Sequence, residues 1–184
     1  MLTRKEAFEL LKKNLRSENL MKHSYAVEVI LQEMAKKLSQ DEELWGLTGL
    51  LHDLDYDFTK NEPEKHSLIT VQVLKDLLPE EAINAIKAHN FQHTAQIPQT
   101  YLDKSLIAAD AVSGLIIAAA LVMPSKKLAD VNPKTLIAKF KDKSFAAGCN
   151  RKRIELCEDM ELNLQEFLEL SLNALKTIAD KLEL

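Results

Sequence analysis

Residues 50–57 read Leu50-Leu51-His52-Asp53-Leu54-Asp55-Tyr56-Asp57. Leu44, Thr48, Leu51 and His52 recur at helical spacing, so an apolar helix face ends on an imidazole and runs into an acidic turn. The same oddity recurs outward along the chain. Upstream, a helix over about 19–38 aligns His23 with Val27, Ile30 and Met34. Downstream, Pro63 is placed to open a helix whose inner face reads His66, Ile69, Val73 and Leu77. After Pro79 a short helix aligns Ala82, Ala85, Ile86 and His89, and a long one from about Tyr101 to Met123 aligns Leu106, Asp110, Gly114 and Ile117.

The flanks are helical as well. Thr3 with Glu6 fits a capping box ahead of the stripe Ala7, Leu10, Leu11 and Leu15. Asn132-Pro133, Asn150 and Asn163 with Glu166 each mark a helix start in the last third. No repeat or linker-like run divides the chain, which predicts an all-α, single-domain bundle over 1–184.

Composition agrees. Of 184 residues, 46% are hydrophobic and 28% charged, enough for a core. Only 4 glycines and 5 prolines occur, well below the usual ~12% share, which argues against turn-rich all-β and low-complexity chains. A formal charge of -4 lacks the basic excess of a protein that coats nucleic acid, so no extended nucleic-acid partner is expected. Cys149 and Cys157 have no metal-binding spacing, and the sequence opens without an apolar leader, so a reduced, cytoplasmic protein is expected. The longest apolar run, Ala111 to Met123, falls short of the roughly 20 residues that span a bilayer. It is read as a core helix buried on nearly all sides, with a homodimer seam as the alternative.

Four histidines on the apolar stripes of separate helices, together with Asp53 and Asp110, demand a common partner. A buried carboxylate destabilises by several kcal/mol unless neutralised. A divalent metal neutralises it. Imidazoles with carboxylates and no suitably spaced thiolate fit Mn, Fe, Co, Ni or Zn better than calcium. Six donors exceed the four of a structural zinc, so one or two ions are expected, with Asp53 as the bridging candidate. A two-metal site suits phosphoester hydrolysis.

The order His23, His52-Asp53 and a distant Asp110 resembles the HD-domain superfamily of metal-dependent phosphohydrolases over roughly residues 20–120. Many members read His-Asp-Ile-Gly where this chain has His52-Asp53-Leu54-Asp55, and the Gly-Tyr-Pro signature of the cyclic-dinucleotide phosphodiesterases is absent. The resemblance therefore implies the broad superfamily rather than that branch. It implies His23, His52, Asp53 and Asp110 as ligands of one metal. His66 and His89 fall where two-metal members, among them dinucleoside tetraphosphate hydrolases and di-iron oxygenases, add histidines. The metal-binding core is then about 20–120, followed by a helical extension over about 130–184.

The expected activity is hydrolysis of a phosphoester or phosphoanhydride, on a small, nucleotide-like phosphorylated molecule, through metal-activated water. Asp53 is the catalytic candidate together with Asp57, five positions after His52; Asp55 is a nearer alternative, and a solvated turn the plainer reading of both. Residues 126–153 carry nine basic and two acidic side chains. Lys141, Lys143, Arg151 and Arg153 are the phosphate-contact candidates, and replacing Lys143 or Arg151 is expected to raise KM. His93, four after His89, is a candidate substrate contact. Alternatives are a di-iron oxygenase on the same scaffold and a non-catalytic ligand-binding module.

Overall fold

The computed structural model describes residues 2–184. Its helices are α1 (Arg4–Asn14), α2 (Glu18–Lys37), α3 (Glu42–Leu51), α4 (Tyr56–Thr59), α5 (Leu68–Leu74), α6 (Glu80–His89), α7 (Phe91–Thr94), α8 (Tyr101–Leu121), α9 (Pro133–Lys141), α10 (Arg151–Ile154), α11 (Leu164–Lys176) and α12 (Ala179–Leu182). Among the described residues there is no strand, and the chain is all-α.

The expected stop and start signals act as read. Thr3 and Glu6 form a reciprocal capping box, and so do Asn163 and Glu166. The Asn132 side chain accepts from Thr135 N with Pro133 at the first turn of α9, and Asn150 caps α10.

α8 is the axis of the bundle. It packs against α2, α6, α9, α10 and α11, which explains apolar residues around most of its circumference. Its length and composition would allow it to cross a membrane, yet 61% of its most apolar window is buried within the bundle. The burial expected through Met123 ends earlier, because Leu121 is 51% and Val122 56% exposed where the chain leaves the helix. α2 lies between α8 and α3, with Val27, Ile30, Leu31 and Met34 fully buried.

The α2–α3 contact needs a glycine. A Cβ on Gly49 would lie 2.9 Å from the Val27 carbonyl oxygen and 3.0 Å from its carbon. Backbone cannot yield as a flexible side chain can, so Gly49→Ala must push α3 off α2, at about 1–3 kcal/mol of overpacking. A thermal melt should show a fall of several degrees (about 2–4 °C per kcal/mol for a domain of this size). An unchanged melting temperature would mean that the helices separate freely.

One expected helix is misplaced. Residues 63–67 form turns, and α5 begins only at Leu68, so His66 precedes the helix instead of lying on it. The expected inner face is outward: Ile69, Val73 and Leu77 are 37%, 40% and 36% exposed, while Thr70 and Leu74 are buried. Bonds from elsewhere hold the turns. The Asn90 amide donates to Pro63 O and His66 O, and the Asp55 carboxylate accepts from Thr70 N.

Candidate metal centre

His23 on α2, His52 just after α3, Asp53 beside it, His66 in the turn before α5, His89 at the end of α6 and Asp110 midway along α8 converge on one cleft. Two groups of donor atoms lie within metal-binding distance of one another: His23, His52 and Asp53, and Asp53, His66 and His89. Asp53 belongs to both. Its Oδ1 lies 3.3 Å from Nε2 of His52, His66 and His89, and its Oδ2 lies 3.7 Å from His23 Nε2. Asp110 Oδ1 lies 3.2 Å from His23 Nε2.

All four imidazoles are turned the same way. His52 Nδ1 donates to Gly49 O at 2.8 Å, and His89 Nδ1 to Ile86 O at 2.5 Å, each acceptor lying one helical turn back. His66 Nδ1 donates to Asp55 Oδ1 at 2.8 Å. Ser113 Oγ gives its proton to Asp110 O at 2.9 Å, so His23 Nδ1 donates to that hydroxyl at 3.1 Å. With every Nδ1 engaged away from the cleft, each Nε2 faces Asp53 and presents a lone pair there whenever its imidazole is neutral. This is how proteins orient histidine ligands to metals.

The donor set fits a divalent cation. His52 Nε2 is buried without a hydrogen-bond partner, and His66 Nε2 faces His89 Nε2 at 3.0 Å. Two facing lone pairs repel, so either a proton on His66 or a metal ion must lie between them. The cluster's field has the same sign. Burial opposes ionisation of Asp53, but the surrounding imidazoles, His52 foremost, hold it well below its ordinary value. Burial likewise opposes charging of His66, yet hydrogen bonds to Asp53 and Asp55 raise it to about 9, whereas at His52 burial prevails and lowers the imidazole to about 4.

These shifts predict how chelator-treated protein responds to pH. His66 favours folding when charged, a contribution complete below its ordinary 6.5 and lost as pH rises through about 9. His52 favours folding when neutral, a contribution present above 6.5 and lost as pH falls towards about 4. Calorimetry should therefore find the chelated protein most stable near neutrality, weakening towards pH 9, with added Mn²⁺ removing the alkaline loss. A melting temperature that is flat between pH 7 and 9 in chelator would contradict this.

Several expected site residues lie elsewhere. Asp57 is not at the cluster: its Oδ2 accepts from Arg16 N at 2.7 Å and Ser17 N at 3.1 Å, ahead of α2. Asp55 is not free for proton transfer either, because Oδ1 holds His66 and Oδ2 holds Thr70 N. Arg151 turns inward, donating to Ala146 O at 2.7 Å, Cys149 O at 2.9 Å and Asp142 O at 3.2 Å, and also to Phe145 O. Lys141 and Lys143 are exposed, and neither lines the cleft; His93 is exposed beyond α6, where Asn90 ends the helix. Of the basic candidates, Arg153 alone reaches the cluster, 3.5 Å from Asp110 Oδ2, with its guanidinium 5.8 Å above the Phe91 ring. Gln92, Asn150 and Tyr56, which periodicity did not single out, line the cleft.

Residues 20–120 match the HD domain family. Among curated proteins, the chain is similar to ribonuclease Y of Desulfotalea psychrophila, 30% identical over 171 residues that cover 90% of this chain and 32% of that protein. It is also similar to ribonuclease Y of Aquifex aeolicus, 34% identical over 98 residues, 53% of this chain and 17% of that protein. The chain thus spans about a third or less of these relatives' length. No solved structure matches. With its family match spanning the whole cluster from His23 to Asp110, the chain belongs to the HD domain family, within the metal-dependent phosphohydrolase superfamily.

Proposed function

We propose that this chain is a two-metal phosphoesterase acting on nucleotide-like phosphoesters, with Asp53 shared between the two ions. The observation that carries this reading is the common orientation of four Nε2 atoms about one carboxylate, with Arg153 at the cleft's edge. His23, His52, Asp53 and Asp110 would hold one ion, and Asp53, His66 and His89 the other. Ions held there would polarise the phosphate and acidify a water.

The chain's own residues do the rest. Nδ1 anchors on Gly49, Ile86, Asp55 and Ser113 hold the ligands in place before substrate arrives, so little reorganisation is needed. Arg153, tethered to Asp110 and Phe91, places a guanidinium where non-bridging phosphate oxygens would sit. Arg153→Ala should raise KM for phosphorylated substrates about tenfold or more while leaving metal content unchanged; a fall in kcat alone would exclude phosphate binding as its role.

The similarity to proteins named ribonuclease Y favours RNA as a second substrate reading. Incubation of chelator-stripped protein, with and without Mn²⁺ or Co²⁺, against mononucleotides, dinucleoside polyphosphates and short single-stranded RNA tests both. Metal-dependent release of phosphate or mononucleotides supports the proposal, and preference for RNA selects the second reading. No hydrolysis of any of them with any metal overturns it.

A further inference from the structure

Two cavities meet at His23, Asp110 and Arg153. One, about 440 Å³, also contains Asp53, His66 and His89. The other, about 640 Å³, extends away from the cluster towards residues 146–150, and its lining includes Ala111 and Gly114 of α8.

Gly114 lies one turn after Asp110, inside a 21-residue helix. Glycine there weakens a helix relative to alanine, because the unfolded chain has more freedom to lose. Neither usual reason for tolerating it applies. No glycine in the described chain has a positive φ, and a Cβ on Gly114 would meet no atom within 4 Å, the opposite of Gly49. Gly114 is exposed on the wall of the larger cleft, and what the missing side chain leaves there is room. Around that room stand Gln92, Asn150, whose Oδ1 caps α10 and leaves its NH₂ group as a donor, and Arg153 at the junction.

We propose that Gly114 is a specificity-determining residue: by carrying no side chain it keeps open a cavity for the organic group esterified to the phosphate that Arg153 holds, a group of nucleoside size with a hydrogen-bonding edge. The volume falls within the roughly 300–1,000 Å³ of small-molecule sites, and the two amides offer both donors and acceptors. This inference rests on the phosphoesterase reading above.

The test compares the wild-type chain, Gly114→Ala and Gly114→Leu, all loaded with Mn²⁺. Because the cavity is empty of protein at this point, Gly114→Ala should melt about 2 °C higher, and both variants should keep the wild-type metal content. Binding of uridine monophosphate, measured by calorimetry, should weaken in the order glycine, alanine, leucine, by about tenfold or more at leucine. The catalytic efficiency for thymidine 5′-p-nitrophenyl phosphate, relative to that for p-nitrophenyl phosphate, should fall by a similar factor. If wild type hydrolyses neither ester while the graded loss of binding holds, the phosphoesterase reading fails and the cavity assignment stands. If both variants bind the nucleotide as wild type does and keep its ester ratio, or if wild type does not bind it at all, the assignment of Gly114 is overturned.

Discussion

Asp53→Ala is expected to lower phosphoesterase activity on the order of 10³-fold or more and to strip the protein of bound metal. The size follows from position. Asp53 is the one carboxylate that approaches Nε2 of all four cluster histidines, so its loss removes a donor from both groups and leaves His52 and His89 with no carboxylate beside them, while His23 keeps only Asp110 and His66 only Asp55. Asp53→Asn keeps the shape without the charge and should fail nearly as badly, which separates charge from packing. Activity measured with added Mn²⁺ after chelation, alongside elemental analysis, reads the result. Either variant retaining both metal and turnover would mean that the convergence on Asp53 has no catalytic meaning.

Arg151→Ala is expected to destabilise the fold by about 3 kcal/mol, on the order of 10 °C in melting temperature. Its guanidinium donates to the carbonyls of Lys139, Phe140, Asp142, Phe145, Ala146 and Cys149, which closes the turns between α9 and α10. Few side chains satisfy so many backbone acceptors, and removing the donor strands them together. Arg151→Lys should rescue little, because an ammonium cannot reach that fan of oxygens. Denaturant unfolding monitored by circular dichroism checks this. A variant as stable as wild type, with KM raised selectively, would restore Arg151 as a phosphate contact.

Those two residues mark where the sequence was and was not legible. Asp53 is readable only in company: the His52-Asp53 pair alone is a weak signal, and the ordered set of His23, His66, His89 and Asp110 around it is what points to a ligand. His23, His89 and Asp110 follow from helical periodicity, and the structure puts each on the face expected. The capping boxes at Thr3 and Asn163 are local, being patterns four residues long. Arg151 and Arg153 are indistinguishable by composition, since both belong to the same basic run. Which one turns inward depends on where the carbonyls of residues 139–149 end up, and no period encodes that. His66 shows the same limit. Its residue type is informative, but its position in a turn depends on Asp55 and Asn90, which lie 11 and 24 residues away. Asp57 is a candidate through the family resemblance, which places a water-activating acid near that position in some members, and a capping turn is the plainer reading beside it. Its carboxylate instead satisfies two amides ahead of α2. Gly114 falls on the Asp110 stripe, but periodicity assigns it no role, because what matters there is the space around a missing side chain.

The most direct measurement of the central claim is the number of divalent ions bound per chain, by equilibrium dialysis of chelator-stripped wild type against Mn²⁺ followed by elemental analysis. Two donor groups sharing Asp53 predict about two ions per chain. Saturation at one would leave the His66 and His89 group as a scaffold around a single-metal centre, and no binding at any concentration would contradict the account outright.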